Sequence, residues 1–189
     1  TYAISAGASL PDDAAASARR SVYLPAVARA VAQALPLING DFEAGPSVGW
    51  TSYSSGGYAL IVPSSELGFD PASGSWAAWL GGAPNETASI EQQVTVVPGQ
   101  SVLHYYYVVG SKEDVCGNDK AAVLINGSAV ESLDLCRAAM TGEWTPHQID
   151  LGAYTGQTVT LAFRAVLDGS LNSNFFVDLV SLGASAAGS

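Results

Sequence analysis

The sequence predicts an all-β protein: an antiparallel β-sandwich, or jelly roll, of about nine or ten strands behind an N-terminal extension. Three observations carry this expectation. From residue 37 onward, short runs of β-branched and aromatic residues alternate with Gly, Pro, Asn, Asp and Ser punctuation. After residue 40 no stretch reads as a credible helix. Finally, 48% of the 189 residues are hydrophobic, ample to fill one core in a chain of single-domain length.

Taken in order, residues 1–36 stand apart as an extension rich in Ala and Ser, with no aromatic except Tyr2 and Tyr23. The stretch SVYLPAVARAVAQALPLI is too apolar for a solvated linker. Val27, Val31 and Leu35 recur every four residues, as on a short helix, yet the same stretch alternates with alanines, as on a strand. Both readings stand, and both leave an apolar face, with Val22, Tyr23 and Leu24 at its start, that needs a partner. Residues 37–183 then carry the strand runs: YALIV (58–62), SWAAWLG (75–81), ASIEQQVTVV (88–97), SVLHYYYVV (101–109), AAVLI (121–125), AVESLDL (129–135), EWTPHQIDL (143–151), TVTLAFRAVL (158–167) and NFFVDLVSL (174–182). Pro98-Gly99-Gln100, Asn126-Gly127 and Thr155-Gly156-Gln157 supply turns between them, Asn126-Gly127 being a strong hairpin signal. Residues 184–189 form a short C-terminal tail.

Charge narrows the partners. Seven Lys and Arg against seventeen Asp and Glu give a net charge of −10, which repels nucleic-acid phosphates and anionic lipid surfaces. Charged residues make up only 13% of the chain, against roughly 25% in ordinary soluble domains. No apolar run reaches the ~18 residues of a membrane span, so burial against other protein copies is the expected reason. Excess carboxylates suit calcium, whose ligands are oxygens. Cys116 and Cys136 flank two strand-like runs, and a disulfide across that hairpin is expected to be worth about 3 kcal/mol in an oxidising compartment. Thr1 and the small uncharged residues after it read as a mature terminus left by signal cleavage, which places the protein outside the cell or on its surface.

The runs NGDFEAGPSVGW (39–50) and SGSWAAWLGG (73–82) resemble the opening strands of the galactose-binding-like jelly rolls, and NSNFFVDLVSL (172–182) resembles their last strand. That superfamily includes carbohydrate-binding modules and accessory domains of secreted bacterial proteases. The resemblance covers about residues 37–182 and implies a structural calcium ion tying the first strand to the last. It places Glu43 and Asp178 as carboxylate ligands, with carbonyls of Asp41 and of the Ser73-Gly74-Ser75 turn completing the shell.

Catalytic constellations are weak. Gly45-Pro46-Ser47-Val48-Gly49 matches a nucleophile-elbow pattern, but that pattern works at a strand-to-helix turn, and no helix follows. His104 and His147 lie inside strand runs and lack metal-ligand spacing. The loop from Lys112 to Asp119 holds the densest acidic cluster, either solvated or binding a second cation. Trp50, Trp79 and Trp144 are the candidate sugar platforms, since aromatic faces stack on pyranose C–H patches. Period-two geometry sends Trp76 and Trp79 to opposite faces of their strand, while Tyr105 and Tyr107 share one. Asn85-Glu86-Thr87 and Asn126-Gly127-Ser128 fit the glycosylation sequon.

Two functional readings remain, both non-catalytic. In the first, the protein is an extracellular structural subunit that polymerises with copies of itself, its N-terminal segment pairing with a neighbour's sheet edge as a donor strand. In the second, it is a carbohydrate-binding module or accessory domain of a secreted enzyme, with polysaccharide as partner. The apolar extension favours the first, because a sugar-binding module needs no such segment.

Overall fold

A computed structural model describes residues 33–184 of the chain. Ten strands occupy them: β1 (Thr51–Ser54), β2 (Ile61–Pro63), β3 (Trp76–Gly81), β4 (Thr87–Thr95), β5 (Val102–Ser111), β6 (Lys120–Ile125), β7 (Ser128–Asp134), β8 (Thr145–Asp150), β9 (Thr158–Val166) and β10 (Ser173–Gly183). They form two five-stranded antiparallel sheets, with orders β1-β4-β9-β6-β7 and β2-β3-β10-β5-β8. The expected sandwich is what forms, and nine of its strands lie on the nine runs read from the sequence.

Strict alternation explains the core. Val159, Leu161, Phe163 and Ala165 of β9 face Phe175 and Val177 of β10 and Leu103, Tyr105 and Val109 of β5, all essentially inaccessible to water. Each large side chain removed from water in this way contributes about 1.5–3 kcal/mol. Phe163 lies at the centre, edge-on to Tyr105 with ring centroids 5.1 Å apart. The β6–β7 hairpin turns at Asn126 and Gly127, both at positive φ, as its sequence predicts.

Two features depart from the sequence reading. β1, with sequence TSYS, has no apolar face and is largely exposed, because it is an edge strand held by main-chain pairing to β4. A four-residue helix, α1 (Ser64–Leu67), follows β2 and buries Leu67, so a single helical turn does occur after residue 40. Residues 35–38 also lie against the edge of β4. Leu35 accepts from Thr95 N at 2.7 Å, and Ile38 exchanges two hydrogen bonds with the Gln92 amide. These contacts cap the edge of β4 where β1 stops.

The motif NGDFE is knitted to the last strand. Val180 N donates to Gly40 O at 2.7 Å, and a β-carbon on Gly40 would fall on the Val180 carbonyl oxygen, so only glycine fits there. This meeting lies at a bulge in β10, where the register slips between Asp178 and Ser181 and Leu179 adopts a φ of 52°. The Asn39 side chain closes the loop beyond: its amide donates to Gly45 O and Val48 O, and its carbonyl oxygen accepts from Ala44 N. The Gly45–Gly49 stretch is therefore a stapled turn leading into Trp50 and β1, not a nucleophile elbow.

Candidate functional site

The bulge in β10 serves a carboxylate. It lets Asp178, wholly buried, accept from Leu179 N at 2.7 Å and from Ser73 N at 3.1 Å. Glu43 reaches the same turn from the other side, its Oε1 accepting from Ser75 N and Trp76 N, each at 2.8 Å. Burial pushes the Asp178 carboxyl up to about 6, three backbone N–H donors from Leu179, Ser73 and Ala72 oppose that rise, and the nearby Glu43 charge adds to it. Glu43 and Asp178 are thus brought together at the Ser73-Gly74-Ser75 turn. The hydrogen bonds engage Ser73 and Ser75 through their N–H groups, where the resemblance implied carbonyls, and the exposed Asp41 carboxylate only approaches Glu43 N, at 3.4 Å.

A second feature covers the outer face of the β2-β3-β10-β5-β8 sheet. Residues one position out of phase with the core, Val62, Ala77 and Phe176, form a separate apolar cluster with Leu67 of α1. Half-buried Trp79, Val108 and Trp144 pack against it. Ring contacts run across the face from Trp79 to Phe176 (5.5 Å), Phe176 to Phe69 (4.8 Å) and Phe69 to Trp144 (5.9 Å). Trp79 Nε1 donates to Asn174 Oδ1, and Trp144 Nε1 donates to Asp70 O. At the Trp79 end, a cleft of about 260 Å³ opens between Trp79, the exposed Tyr58 and the exposed Glu66, with Gly81, Gly82 and Ala83 as one wall.

Trp79 and Trp144, two of the three tryptophans expected as sugar platforms, therefore share this outer face. Trp50 does not. It is 5% exposed, lies between Phe42 and Phe163 in the core, and donates to Asn39 O, so neither ring face is free. Trp76 packs against the core from the opposite side of β3, as its spacing from Trp79 requires. Glu66 carries no signal in the sequence as a cleft residue, because it comes from α1, a single helical turn that no periodicity announces.

Other sequence candidates resolve simply. Cys116 and Cys136 are disulfide-bonded across the β6–β7 hairpin, with Cα atoms 5.1 Å apart, which fits an extracellular protein. His147 pairs with Glu131 at 2.9 Å, and His104 Nε2 lies 3.3 Å from Ala184 O. Of the assembly segment, Val22, Tyr23, Leu24, Val27 and Val31 lie outside the described residues, whereas Leu35 is bonded to Thr95 of its own chain. Among the described residues no helix is long and apolar enough to cross a membrane.

No family model matches the chain, and no curated protein matches its sequence. Solved structures do. TmCBM61, determined in complex with beta-1,4-galactotriose, superposes with a TM-score of 0.56 at 16% identity, over 81% of this chain and 99% of its own. The K2 cleaved adhesin domain of Lys-gingipain gives 0.54 at 18% identity, over 77% and 97% of the two chains. The K1 domain of the same protein, from Porphyromonas gingivalis W83, gives 0.54 at 14%, over 77% and 96%. The fold is that of carbohydrate-binding-module and adhesin-domain jelly rolls. At these identities the likeness is one of architecture.

Proposed function

We propose that the protein is a non-catalytic carbohydrate-binding module or accessory domain of a secreted protein, and that it holds a glycan in the Tyr58–Trp79–Glu66 cleft. The carrying observation is the cleft: an indole and a phenol line an open apolar trough, with a carboxylate at its lip. Indole faces stack on the C–H patches of a pyranose, and a carboxylate oxygen accepts from sugar hydroxyls. A trough of this size takes one ring and leaves the rest of a polysaccharide outside. Calcium between Glu43 and Asp178 belongs to this reading as a fold-holding ion. The donor set fits it: a wholly buried carboxylate beside a second one, in a loop that joins the first motif to the last strand.

Self-assembly has less support, since Leu35, the last residue of the expected donor segment, already pairs within its own chain. Titration of the full chain with a panel of oligosaccharides, β-1,4-galactotriose first, tests the proposal. Binding that falls more than about tenfold in both Tyr58→Ala and Trp79→Ala is expected. Tyr58 is exposed, so its variant separates lost contact from lost folding. A panel without binders, or binding indifferent to both substitutions, would overturn the reading.

A further inference from the structure

A second set of acidic groups gathers away from both the cleft and the Glu43–Asp178 pair. Glu113 lies just beyond β5, Asp119 just before β6, and Asp168 just after β9. One carboxylate oxygen from each lies within 4.8 Å of the other two. Glu113 is 3% exposed and Asp119 is 0% exposed. None of the three takes part in the ion pairs found among the described residues, which join Lys120 to Asp134, Arg137 to Asp114 and His147 to Glu131. Three carboxylates this close, two of them buried, repel one another unless a positive charge joins them.

The hydrogen bonds around the three carboxylates leave some oxygens without a donor. Glu113 Oε1 accepts from Ser170 Oγ and Leu171 N, and its Oε2 accepts from Asn118 Nδ2 at 3.4 Å. Asp168 Oδ1 accepts from Ser170 N and Ser170 Oγ. Asp119 Oδ1 accepts from Asp168 N at 2.8 Å, but Asp119 Oδ2 is buried with no hydrogen-bond partner among the described residues. Asn172 Oδ1, in the β9–β10 loop that also carries Asp168, is a second buried oxygen without a donor. A buried acceptor left without a donor is costly, and more so when it is charged. Both unsatisfied atoms are hard oxygen acceptors, and the three carboxylates supply a formal charge of −3. Oxygen-only donors of this charge suit calcium.

We infer that Glu113, Asp119 and Asp168 form a divalent-cation site, calcium by its donor chemistry, that ties the β5–β6 loop to the β9–β10 loop. The loops are already braced for it. The disulfide at Cys116 holds the first, Arg137 N donates to Glu113 O, and Leu135 N donates to Asp119 O. Asn85 N donates to Asp168 O, so the β3–β4 loop, which begins beside the glycan cleft, rests on the same support. This inference is independent of the glycan reading.

Calcium titrated calorimetrically into chelator-stripped full-length protein tests it. Asp168→Asn and Asp119→Asn should each weaken one calcium-binding event by about tenfold or more. Glu43→Gln should leave that event in place, which separates it from the ion proposed at the β10 bulge. Asp168 is only half-buried, so its variant carries the test should Asp119→Asn fail to fold. Loss of one calcium equivalent in Asp168→Asn, retained in Glu43→Gln, supports the site. The same number of equivalents in wild type and Asp168→Asn, or no calcium binding by wild type, overturns it. A site that takes magnesium and refuses calcium overturns the assignment of the ion.

Discussion

One carboxylate cluster lies at the bulge within β10 and the other in the loops before β10 begins, where Ser173 pairs with Ser111 of β5, yet the protein treats them oppositely. At the bulge of β10, burial of Asp178 outweighs three backbone N–H donors, and its carboxyl is pushed up to about 6. In the loops before β10, the Ser170 hydroxyl and the Leu171 and Ser170 N–H groups outweigh burial, and Glu113 and Asp168 are held below the usual carboxylate range. The contrast teaches that the balance of burial against donors decides whether a carboxylate keeps its charge: burial is the largest cause at Asp178 and the Ser170 hydroxyl the largest at Glu113 and Asp168. A cation at Asp178 competes with a proton, whereas one at Glu113 and Asp168 meets charge that persists into acid.

The strongest way to separate the two clusters is through the disulfide. Replacing Cys116 and Cys136 together by Ser should cost about 3 kcal/mol in denaturant unfolding. It should also weaken calcium binding at Glu113–Asp119–Asp168, whose loop contains Cys116, while sparing Glu43–Asp178. Equal weakening at both would dissolve the distinction. Gly74→Ala makes the converse cut. Gly74 has a φ of +63°, and a β-carbon there would strike the Glu43 carboxylate, so a loss of about 1–3 kcal/mol is expected together with loss of the calcium effect at that cluster alone.

Acid should pull the clusters in opposite directions, read from thermal unfolding of chelated protein. Asp178 has a higher pKa folded than its ordinary value of 3.8, so the folded state binds the extra proton between about pH 4 and about pH 6. Its contribution to stability therefore falls as pH rises through that window, and Asp178→Asn should remove the slope. Glu113 and Asp168 are depressed, so they contribute stability above their ordinary values that is lost as pH falls through their folded ones. A profile that Asp178→Asn leaves unchanged between pH 4 and 6 would contradict the burial argument. The smallest effect belongs to an exposed pair: Lys120→Ala, which breaks a 3.0 Å contact to Asp134, should cost at most about 0.5 kcal/mol. A larger loss would mean that surface charge matters more here than burial does.

Much of this was legible in the chain itself, and the reasons are local. Strand β4 alternates strictly, and β9 does so except at Ala162, so that one face of each had to be core. Asn126-Gly127 announces its hairpin, the cysteines flank it, and the resemblance of the NGDFE motif and the last strand pairs Glu43 with Asp178, which meet at the Ser73-Gly74-Ser75 turn. Illegible were the features made by contacts between distant segments. β1 has no alternation because nothing covers it, and Trp50 reads like any exposed tryptophan until Phe42 and Phe163 close over it. Leu35 looked free to leave its own chain because the gap it fills, the edge of β4 beyond β1, appears only once the sheet exists.

The sequence alone determined the all-β class, nearly every strand, and the disulfide, because alternation, turn chemistry and cysteine spacing act over a few residues. Tertiary structure decided which tryptophans stay available, which sheet edge the extension covers, and that Glu113, Asp119 and Asp168, up to 55 residues apart in the chain, share one place. Side-chain meetings of that kind depend on how loops from different strands converge, and no local pattern encodes the convergence.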